Sequence, residues 1–524
     1  MLRSSVPPSA ALLLAAALLL LPASPASAQE SPAAGAPVAA EGTDLNPAGE
    51  TTWAVLTLGG EKIGWTRTAT VPLGDGPDAG SRTETETSMT FQRFGQSIAM
   101  SVDLETEESA EGDLRSFTLV TKNPGSAPTR AVGVRDGDVL RVTTTVGGTE
   151  STREVALPAD LKSPSYLDDL LKGDRLQPGE PVSFQTYFPE LGKVGTVTLT
   201  KAAAAEEVET PTGERRTLTK VTVAQDVLPF PTTLYVDEEG ESVFESMDFL
   251  GQTLLTYEVS KEEALRAVFN KGADMGFDTL VPVDVVPNVH QTEKVVYRVS
   301  VEDAQATKLF LSTASQTVQP LKGRGEQALV TVVGLPIPRE ATAGNAPDLL
   351  KPTRYLQSDD PRVIEHAMAA APKDAPAGRI ALGCAEYVGR VLTDKNFSTA
   401  LASAAEVAEK LAGDCTEHSV LCAAMLRARG VPSRVCVGLV TIPGRGQMGG
   451  HMWVEALLDA DGPAGPAEAL WVPLDPTITG GGIGGGHLLL GRSDLSDDDA
   501  SPVASFLPML EVIGRLTVTV VESK

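Results

Sequence analysis

Apolar and polar residues alternate along most of the first half of the chain. The pattern runs through segments such as TWAVLTLGGEKIGWTRTAT, QSIAMSVDLETE, VLRVTTTVGG and RRTLTKVTVAQ, and GG, NPG, DGD and EEG turns interrupt it. Period-two alternation between such turns predicts antiparallel strands. SYLDDLLKG predicts one short helix among them. We therefore expect a large antiparallel β domain at 51–266, from Thr51 to Arg266, built on a curved, half-open sheet.

The pattern changes twice further along the chain. VVPNVHQTEKVVYRVSVEDAQATKLFL and EQALVTVVG predict a small β domain or an extra sheet layer at 274–345. From Pro347, helix formers take over, and RIALGCAEYVGRVL places its apolar residues on one helical face. We expect a helical core at 347–480, then a Gly-rich connector and a C-terminal β extension at 481–524. The predicted fold class is α+β.

The stretch AGDCTEHSVLCAAMLRARGVPSR, which begins at Ala412, contains helix signals at both ends. Asp414 with Glu417 fits a capping box, and Gly430 before Pro432 fits a C-terminal stop. The spacing predicts a helix from about Cys415 to Arg429. In the first turn, unpaired N–H groups and the helix dipole favour the thiolate, so we expect a lowered pKa for Cys415. Cys422 lies seven residues on and is expected to pack in the core.

Two strands after this helix carry candidate partners for the thiol. SRVCVGLVTI and the loop PGRGQMGG precede HMWVEALL and LWVPLDPT, which place His451 at the start of one strand and Asp475 near the end of the next. A thiolate nucleophile needs a base within hydrogen-bond reach, and the base needs an orienting acceptor on its other nitrogen. Cys415, His451 and Asp475 together supply these groups.

These blocks resemble the transglutaminase-like superfamily. The resemblance rests on GDCTEHSVLCAAMLRARGVPSRVCVGLV, GGHMWVEALL and LWVPLDPT in that order, and the tail from HLLLGRSDL to GRLTVTVVE resembles bacterial members. It implies a papain-like transglutaminase core after the antiparallel β-rich region. It also implies Cys415 as nucleophile, His451 as general base and acid, and Asp475 as the residue that orients His451. Members include cross-linking enzymes, peptidases, amidases and inactive proteins, so the reaction stays open.

The N-terminus predicts export. Arg3, the apolar run from Ala11 to Leu21 and PASPASA ending at Ala28 have the pattern of a signal peptide at 1–28, with a disordered linker at 29–50. We expect a periplasmic or extracellular protein without an integral membrane segment after cleavage. The net charge of −26 argues against nucleic acid as a partner. Four cysteines are too few for a disulfide scaffold in an exported chain of 524 residues.

Several residues have more than one interpretation. Cys415 and His418 have C-x-x-H spacing, but no second ligand pair stands nearby, so we expect no metal. One disulfide among Cys384, Cys422 and Cys436 stays open. Trp453 faces the same side of its strand as His451 and lines either the cleft or the core. GGGIGGG from Gly480 predicts a flexible connector, because no Lys-Ser/Thr follows as in a phosphate loop.

The expected function is that of an exported, cofactor-free thiol enzyme. It would attack a carboxamide or peptide bond of a protein or peptide substrate through a thioester on Cys415. The backbone N–H of Cys415 is one oxyanion donor, and transfer and hydrolysis both stay open. The alternative is a non-catalytic exported protein that binds a ligand through its β domain. Because all three candidate residues lie beyond Pro347, we expect a chain starting near Val281 to fold and keep the chemistry. The sequence leaves the oligomeric state unknown.

Overall fold

The computed structural model describes residues 50–524 except 77, 173–174, 268–273, 322–325, 395–400, 460–468, 479, 481–482 and 499–500. The expected signal peptide at 1–28 and the linker up to residue 49 lie outside the described residues. No helix in the described part of the chain has both the length and the apolar character needed to cross a bilayer.

The N-terminal part of the described chain is one antiparallel sheet. Its strands are β1 (Glu50–Leu58), β2 (Glu61–Pro72), β3 (Ser81–Arg93), β4 (Gln96–Glu108), β5 (Leu114–Lys122), β6 (Thr129–Asp136), β7 (Val139–Val146), β8 (Thr149–Ala156), β9 (Val182–Phe188), β10 (Lys193–Lys201), β11 (Glu206–Glu209), β12 (Arg215–Gln225), β13 (Thr232–Val236), β14 (Ser242–Phe249) and β15 (Gln252–Glu258). The predicted short helix is α1 (Tyr166–Leu171), between β8 and β9. The strand order is β8 through β1, then β15, β14, β13, β12, β10 and β9, with β11 beside β12.

This long sheet curls until its two ends approach each other. Open sheets rarely exceed about 10 strands without curling. Phe117 on β5 stacks on Tyr187 of β9 with ring centroids 5.2 Å apart. Arg153 on β8 donates a hydrogen bond of 3.0 Å to the Tyr187 hydroxyl. Lys162 also connects the two sides through the backbone, because its N–H donates to the Gln185 carbonyl of β9 at 2.9 Å and it forms a β-bridge with Asp113 beside β5.

A smaller sheet follows and is completed by the C-terminus. Between the two sheets lie helices α2 (Lys261–Ala264) and α3 (Met275–Asp278) and strand β16 (Val281–Pro282). The next elements are β17 (Lys294–Val301), α4 (Ala306–Leu309), β18 (Gln316–Pro320), β19 (Gln327–Val333) and β20 (Thr342–Ala343). The order of the small sheet is β18-β19-β17-β25, where β25 (Leu516–Ser523) is the last strand of the chain.

The helical core packs on a third sheet. Its helices are α5 (Pro361–Ala370), α6 (Ala377–Val391), α7 (Ala404–Lys410), α8 (Cys415–Ala428) and α9 (Leu507–Leu510), and its strands are β21 (Ser433–Ile442), β22 (Gln447–Asp459), β23 (Ala469–Leu474) and β24 (His487–Ser493). The sheet order is β16-β22-β21-β24, and β20 and β23 also pair with β22. Helix α8 is buried on all sides from Cys415 to Arg427, so it is the centre of this core. The α+β class, with an antiparallel β-rich part before the helical core, is confirmed.

One apolar core connects these parts. The same cluster of buried side chains includes residues of the large sheet, the small sheet and helix α8, such as Leu56, Phe91, Phe249, Val295, Val330, Val420 and Met425. Removing the large sheet would therefore expose apolar surface on the helical core. This differs from the expectation that a chain starting near Val281 folds alone.

Candidate active site

Local hydrogen bonds fix the start of helix α8. Gly413 has φ 136°, a conformation that suits glycine, and it places Asp414 at the N-cap. Asp414 Oδ1 accepts a hydrogen bond from the Thr416 N–H at 2.9 Å, and Glu417 Oε2 accepts one from the Asp414 N–H at 3.0 Å. The predicted capping box is confirmed, and it makes Cys415 the first residue of the helix.

The thiol of Cys415 is enclosed by protein. The residue is 1% exposed, and its sulfur accepts a hydrogen bond from the backbone N–H of Met452. Burial raises the pKa of the thiol well above its ordinary value, and the Asp414 carboxylate raises it further. The Met452 N–H and the Arg93 guanidinium act in the opposite direction. The expectation of a lowered pKa is therefore wrong, because burial of the thiol disfavours the charged thiolate.

His451 and Asp475 form a buried hydrogen-bonded pair. His451 lies on β22 opposite Gly438 of β21, and Asp475 directly follows β23. His451 Nε2 donates to Asp475 Oδ2 at 2.8 Å, and His451 Nδ1 is buried without a hydrogen-bond partner among the described residues. This bond leaves Nδ1 as the nitrogen that can accept a proton. Because Met452 follows His451 and contacts the Cys415 sulfur, the structure brings all three predicted residues to one place.

A second histidine holds the same carboxylate. His487, the first residue of β24, donates from Nε2 to Asp475 Oδ2 at 3.0 Å, while Oδ1 accepts from the N–H and hydroxyl of Thr477 at 2.8 and 2.6 Å. Burial opposes ionisation of Asp475, but His451 and His487 together hold its pKa well below the ordinary value. Burial lowers the pKa of His487, although Asp475 opposes this shift. Asp475 is thus a turn residue and the acceptor for two imidazoles.

A third histidine lies behind His487. His290 is in a short 3-10 turn, Val289–Gln291, and its ring centroid lies 5.3 Å from that of His487. Its Nε2 donates to the Thr441 carbonyl at 2.9 Å, and burial, then His487, lowers its pKa to about 4. A Cβ on Gly486 would lie 2.6 Å from the His290 ring, so residues 483–486 are closely packed and not the expected flexible connector.

Trp453 is both part of the core and a neighbour of the site. Its ring stacks on His451 at 6.1 Å and meets His487 edge-on at 5.1 Å. It is 3% exposed and packs with Cys436 and Leu489. The two interpretations from the sequence therefore both describe it, and it fixes the imidazole rings from one side.

The structure shows the surroundings of the candidate metal ligands and of the four cysteines. The ligand atoms of His451, Asp475 and His487 lie within 4.8 Å of one another, a set that could bind a metal ion. The two hydrogen bonds to Asp475 Oδ2 already account for this closeness, and a metal would have to displace both. His418 is a helix residue whose Nδ1 donates to the Asp414 carbonyl at 2.6 Å. All four cysteines are free and buried.

The sequence did not reveal His487 and His290 as site residues. In the sequence, HLLLGRSDL is only part of the family-like tail, and His290 belongs to the small β segment. One signal was available: the chain has only five histidines, and three of them meet around Asp475. In a chain so poor in histidine, each one merits weight as a candidate.

Three solved structures are similar to parts of the chain. A β-barrel-like protein of a domain family of unknown function from Brucella abortus is 13% identical, with 41% of this chain and 96% of that chain covered and a TM-score of 0.30. A candidate cysteine protease from Cytophaga hutchinsonii is 14% identical, with 44% and 86% covered and a TM-score of 0.28. A candidate protease from Parabacteroides distasonis is 11% identical, with 78% and 68% covered and a TM-score of 0.19. TM-scores this low do not establish a shared overall fold.

A family comparison covers the site itself. No curated protein matches the chain. The model of the transglutaminase-like superfamily matches residues 369–476, a range that includes Cys415, His451 and Asp475. It also covers helix α8 and strands β21, β22 and β23. Residues 369–476 are therefore a domain of the transglutaminase-like superfamily.

Proposed function

We propose that the chain is an exported, cofactor-free thiol enzyme that acts on a carboxamide or peptide carbonyl. Cys415 is the nucleophile, His451 the general base and acid, and Asp475 the residue that orients His451. The observation that carries this proposal is the buried hydrogen bond of 2.8 Å between His451 and Asp475. His451 Nδ1 has no hydrogen-bond partner among the described residues, and the next residue on the same strand, Met452, contacts the Cys415 sulfur. A base held in one tautomer next to a thiol is the arrangement that nucleophilic catalysis needs.

The first half-reaction makes a thioester. Cys415 transfers its thiol proton to His451 Nδ1, and its sulfur forms a bond to the carbonyl carbon. Asp475 stabilises the imidazolium that results, because its carboxylate is ionised and buried against the ring. The tetrahedral intermediate collapses when its C–N bond breaks and the leaving ammonia or amine takes the proton from His451.

The second half-reaction releases the acyl group. An amine or a water gives its proton to His451 and attacks the thioester carbon, and the C–S bond then breaks. The Cys415 sulfur recovers the proton from His451, which restores the starting state. The backbone N–H of Cys415 in the first turn of α8 is a donor for the oxyanion in both steps, since the first N–H groups of a helix have no partner within it.

Burial of the site adds a requirement for access. Cys415 and His451 are 1% and 0% exposed, so a peptide reaches the thiol only after a local movement of the protein. The low polarity of the closed site strengthens the interaction between imidazolium and Asp475 once substrate is bound. Opening therefore precedes chemistry in this proposal, as for other enzymes with gated sites.

The proposal is tested with the protein starting near Gln29 and a library of glutamine-containing peptides, with and without a primary amine. Release of ammonia together with incorporation of the amine into the peptide identifies transfer. Release of ammonia with conversion of glutamine to glutamate identifies amidase activity, and new peptide termini identify a peptidase. Cys415→Ala should abolish each signal. Cys422→Ala is the matched control, because that thiol is on the same helix and buried in its core. Turnover that survives Cys415→Ala contradicts the proposal.

The alternative function is capture of a ligand by the large sheet without catalysis. It predicts that the library is unchanged by the wild-type protein under every condition. Export forms part of the proposal and has its own test, which is to fractionate cells that make the full chain and sequence the mature N-terminus. A start near Gln29 outside the cytoplasm supports export, and an uncleaved cytoplasmic protein contradicts it.

A further inference from the structure

A buried arginine from the large sheet contacts the N-cap of the catalytic helix. Arg93 is the last residue of β3, and its Nη1 donates to Asp414 Oδ2 at 2.9 Å. The two side chains are 1% and 2% exposed. They are 321 positions apart in the sequence, so the contact exists only because the large sheet packs on the helical core.

The turn that carries Arg93 is held in place. Phe94 and Gly95, between β3 and β4, have positive φ angles of 49° and 76°. Their N–H groups donate to the two carboxylate oxygens of Asp274 at 2.8 and 2.7 Å. The Phe94 ring packs edge-on against Phe277 at 5.0 Å. Arg93 therefore approaches helix α8 from a turn that hydrogen bonds and ring packing hold in place.

Asp414 needs a cation because of where it sits. Its Oδ1 caps helix α8 through Thr416, while its Oδ2 faces Arg93. A buried carboxylate is costly unless it is paired, and this one directly precedes Cys415, where its charge disfavours the thiolate. Glu417 cannot offset this charge, because a carboxyl group is either neutral or negative; burial, then Asp414, raises its pKa to about 8. Arg93 is the permanently charged partner at this position.

We propose that Arg93 is a positioning residue of the catalytic centre, which acts through Asp414 to neutralise the negative charge beside Cys415 and to hold the N-cap in place. The large sheet thus completes the site instead of being a separable module. The inference deepens the proposed function, because it concerns the same thiol. Its test uses no substrate, so a failure of the proposed reaction would leave the test interpretable.

The titratable and charged groups near Cys415 come from several elements. They are Asp414, Glu417 and His418 on or beside α8, Arg93 on β3, His451 on β22, Asp475 after β23 and His487 on β24. Asp414 raises the pKa of Cys415 and Arg93 lowers it, as the geometry requires. Arg93 and Asp414 can be altered without removing a hydrogen bond of His451 or Asp475.

The experiment is a pH titration of Cys415 in four proteins: the wild type, Arg93→Met, Asp414→Asn and the double variant. Thiolate absorbance is measured as the difference between each protein and its Cys415→Ala version, over the pH range in which the fold persists. Asparagine keeps the N-cap, so Asp414→Asn removes charge more than helix stability. We expect Arg93→Met to lower the thiolate-to-thiol ratio at fixed pH by about tenfold, Asp414→Asn to raise it, and the double variant to return towards the wild type.

Arg354→Met is the matched control. Arg354 is a buried arginine at the same interface, where its Nη1 donates to Ser151 Oγ at 3.1 Å and to the Asp497 carbonyl at 3.0 Å. It should lose stability without moving the Cys415 titration. If Arg93→Met fails to fold, the titration of Asp414→Asn still tests the proposal, because this variant leaves Arg93 in place. An unchanged titration in Asp414→Asn, or a shift in Arg93→Met that the double variant does not reverse, overturns the proposal.

Discussion

Replacing His487 should remove one of two imidazole donors to a buried carboxylate. The Asp475 side chain is fully buried, and His487 Nε2 donates to its Oδ2 at 3.0 Å. A hydrogen bond to a charged group contributes about 1.5–3 kcal/mol. We expect His487→Phe to lower the free energy of unfolding by about this amount at pH 7.5, because the ionised Asp475 then keeps His451 and Thr477 as its donors among the described residues.

The pH dependence of this loss has a definite sign. The folded pKa of Asp475 is below its unfolded value, so its stabilisation is complete above an unfolded pKa of about 3.9 and is lost as the pH falls through the folded pKa. The folded pKa of His487 is also lowered, so the unfolded wild-type chain takes up a proton first below about pH 6.5. At pH 5 the unfolded wild-type chain is therefore favoured by this proton, and the difference in unfolding free energy from His487→Phe should shrink.

Urea unfolding at pH 7.5 and pH 5, followed by circular dichroism, measures both effects. His487→Gln is the matched variant, because its amide keeps an N–H donor but does not titrate. It should be close to the wild type at pH 7.5 and more stable than the wild type at pH 5. Equal losses for phenylalanine and glutamine at pH 7.5, or a loss that does not change with pH, would refute the role given to His487.

Three further predictions concern other buried residues. Cys415→Ala should abolish turnover, whereas Cys422→Ala should keep it; both thiols are buried, so each change should cost about 1 kcal/mol of stability, and exchanged activities would contradict the assignment. Asp475→Asn should lower kcat/KM by at least about a hundredfold and move the basic limb of a bell-shaped pH profile to lower pH, and an unchanged profile would exclude an orienting role. Glu190→Gln should be more stable than the wild type above pH 7, because burial raises the Glu190 pKa to about 7 and ionisation of the folded protein then costs about 3 kcal/mol. The denaturant midpoints of the two proteins should converge near pH 4.5. Equal midpoints at pH 8 would contradict this prediction.

The local features of the site were predictable from the sequence. The capping box joins Asp414 to a residue three positions away, and the helix stop depends on Gly430 and Pro432 in the same segment. Alternation in the first half gave the antiparallel strands, because the side-chain period of a strand is a local property. Asp475 next to β23 and His451 on β22 followed from two adjacent strands.

The remaining features depend on long-range packing. His487 reaches Asp475 because β24 pairs with β21, and His290 joins them because residues 483–486 pack against its ring. Arg93 reaches Asp414 across 321 positions. The pKa of Cys415 was predicted with the wrong sign for the same reason, since the helix terminus is visible in the sequence and the burial of the thiol is not.

The most direct test of the central claim is the mass of the enzyme during turnover. A peptide that the wild-type protein converts is mixed with the protein, the reaction is quenched in acid, and the intact and digested masses are measured. The account predicts an acyl adduct on Cys415 that equals the peptide minus its leaving group, that hydroxylamine releases and that Cys415→Ala lacks. Turnover without an adduct on Cys415, or an adduct on another residue, would contradict it.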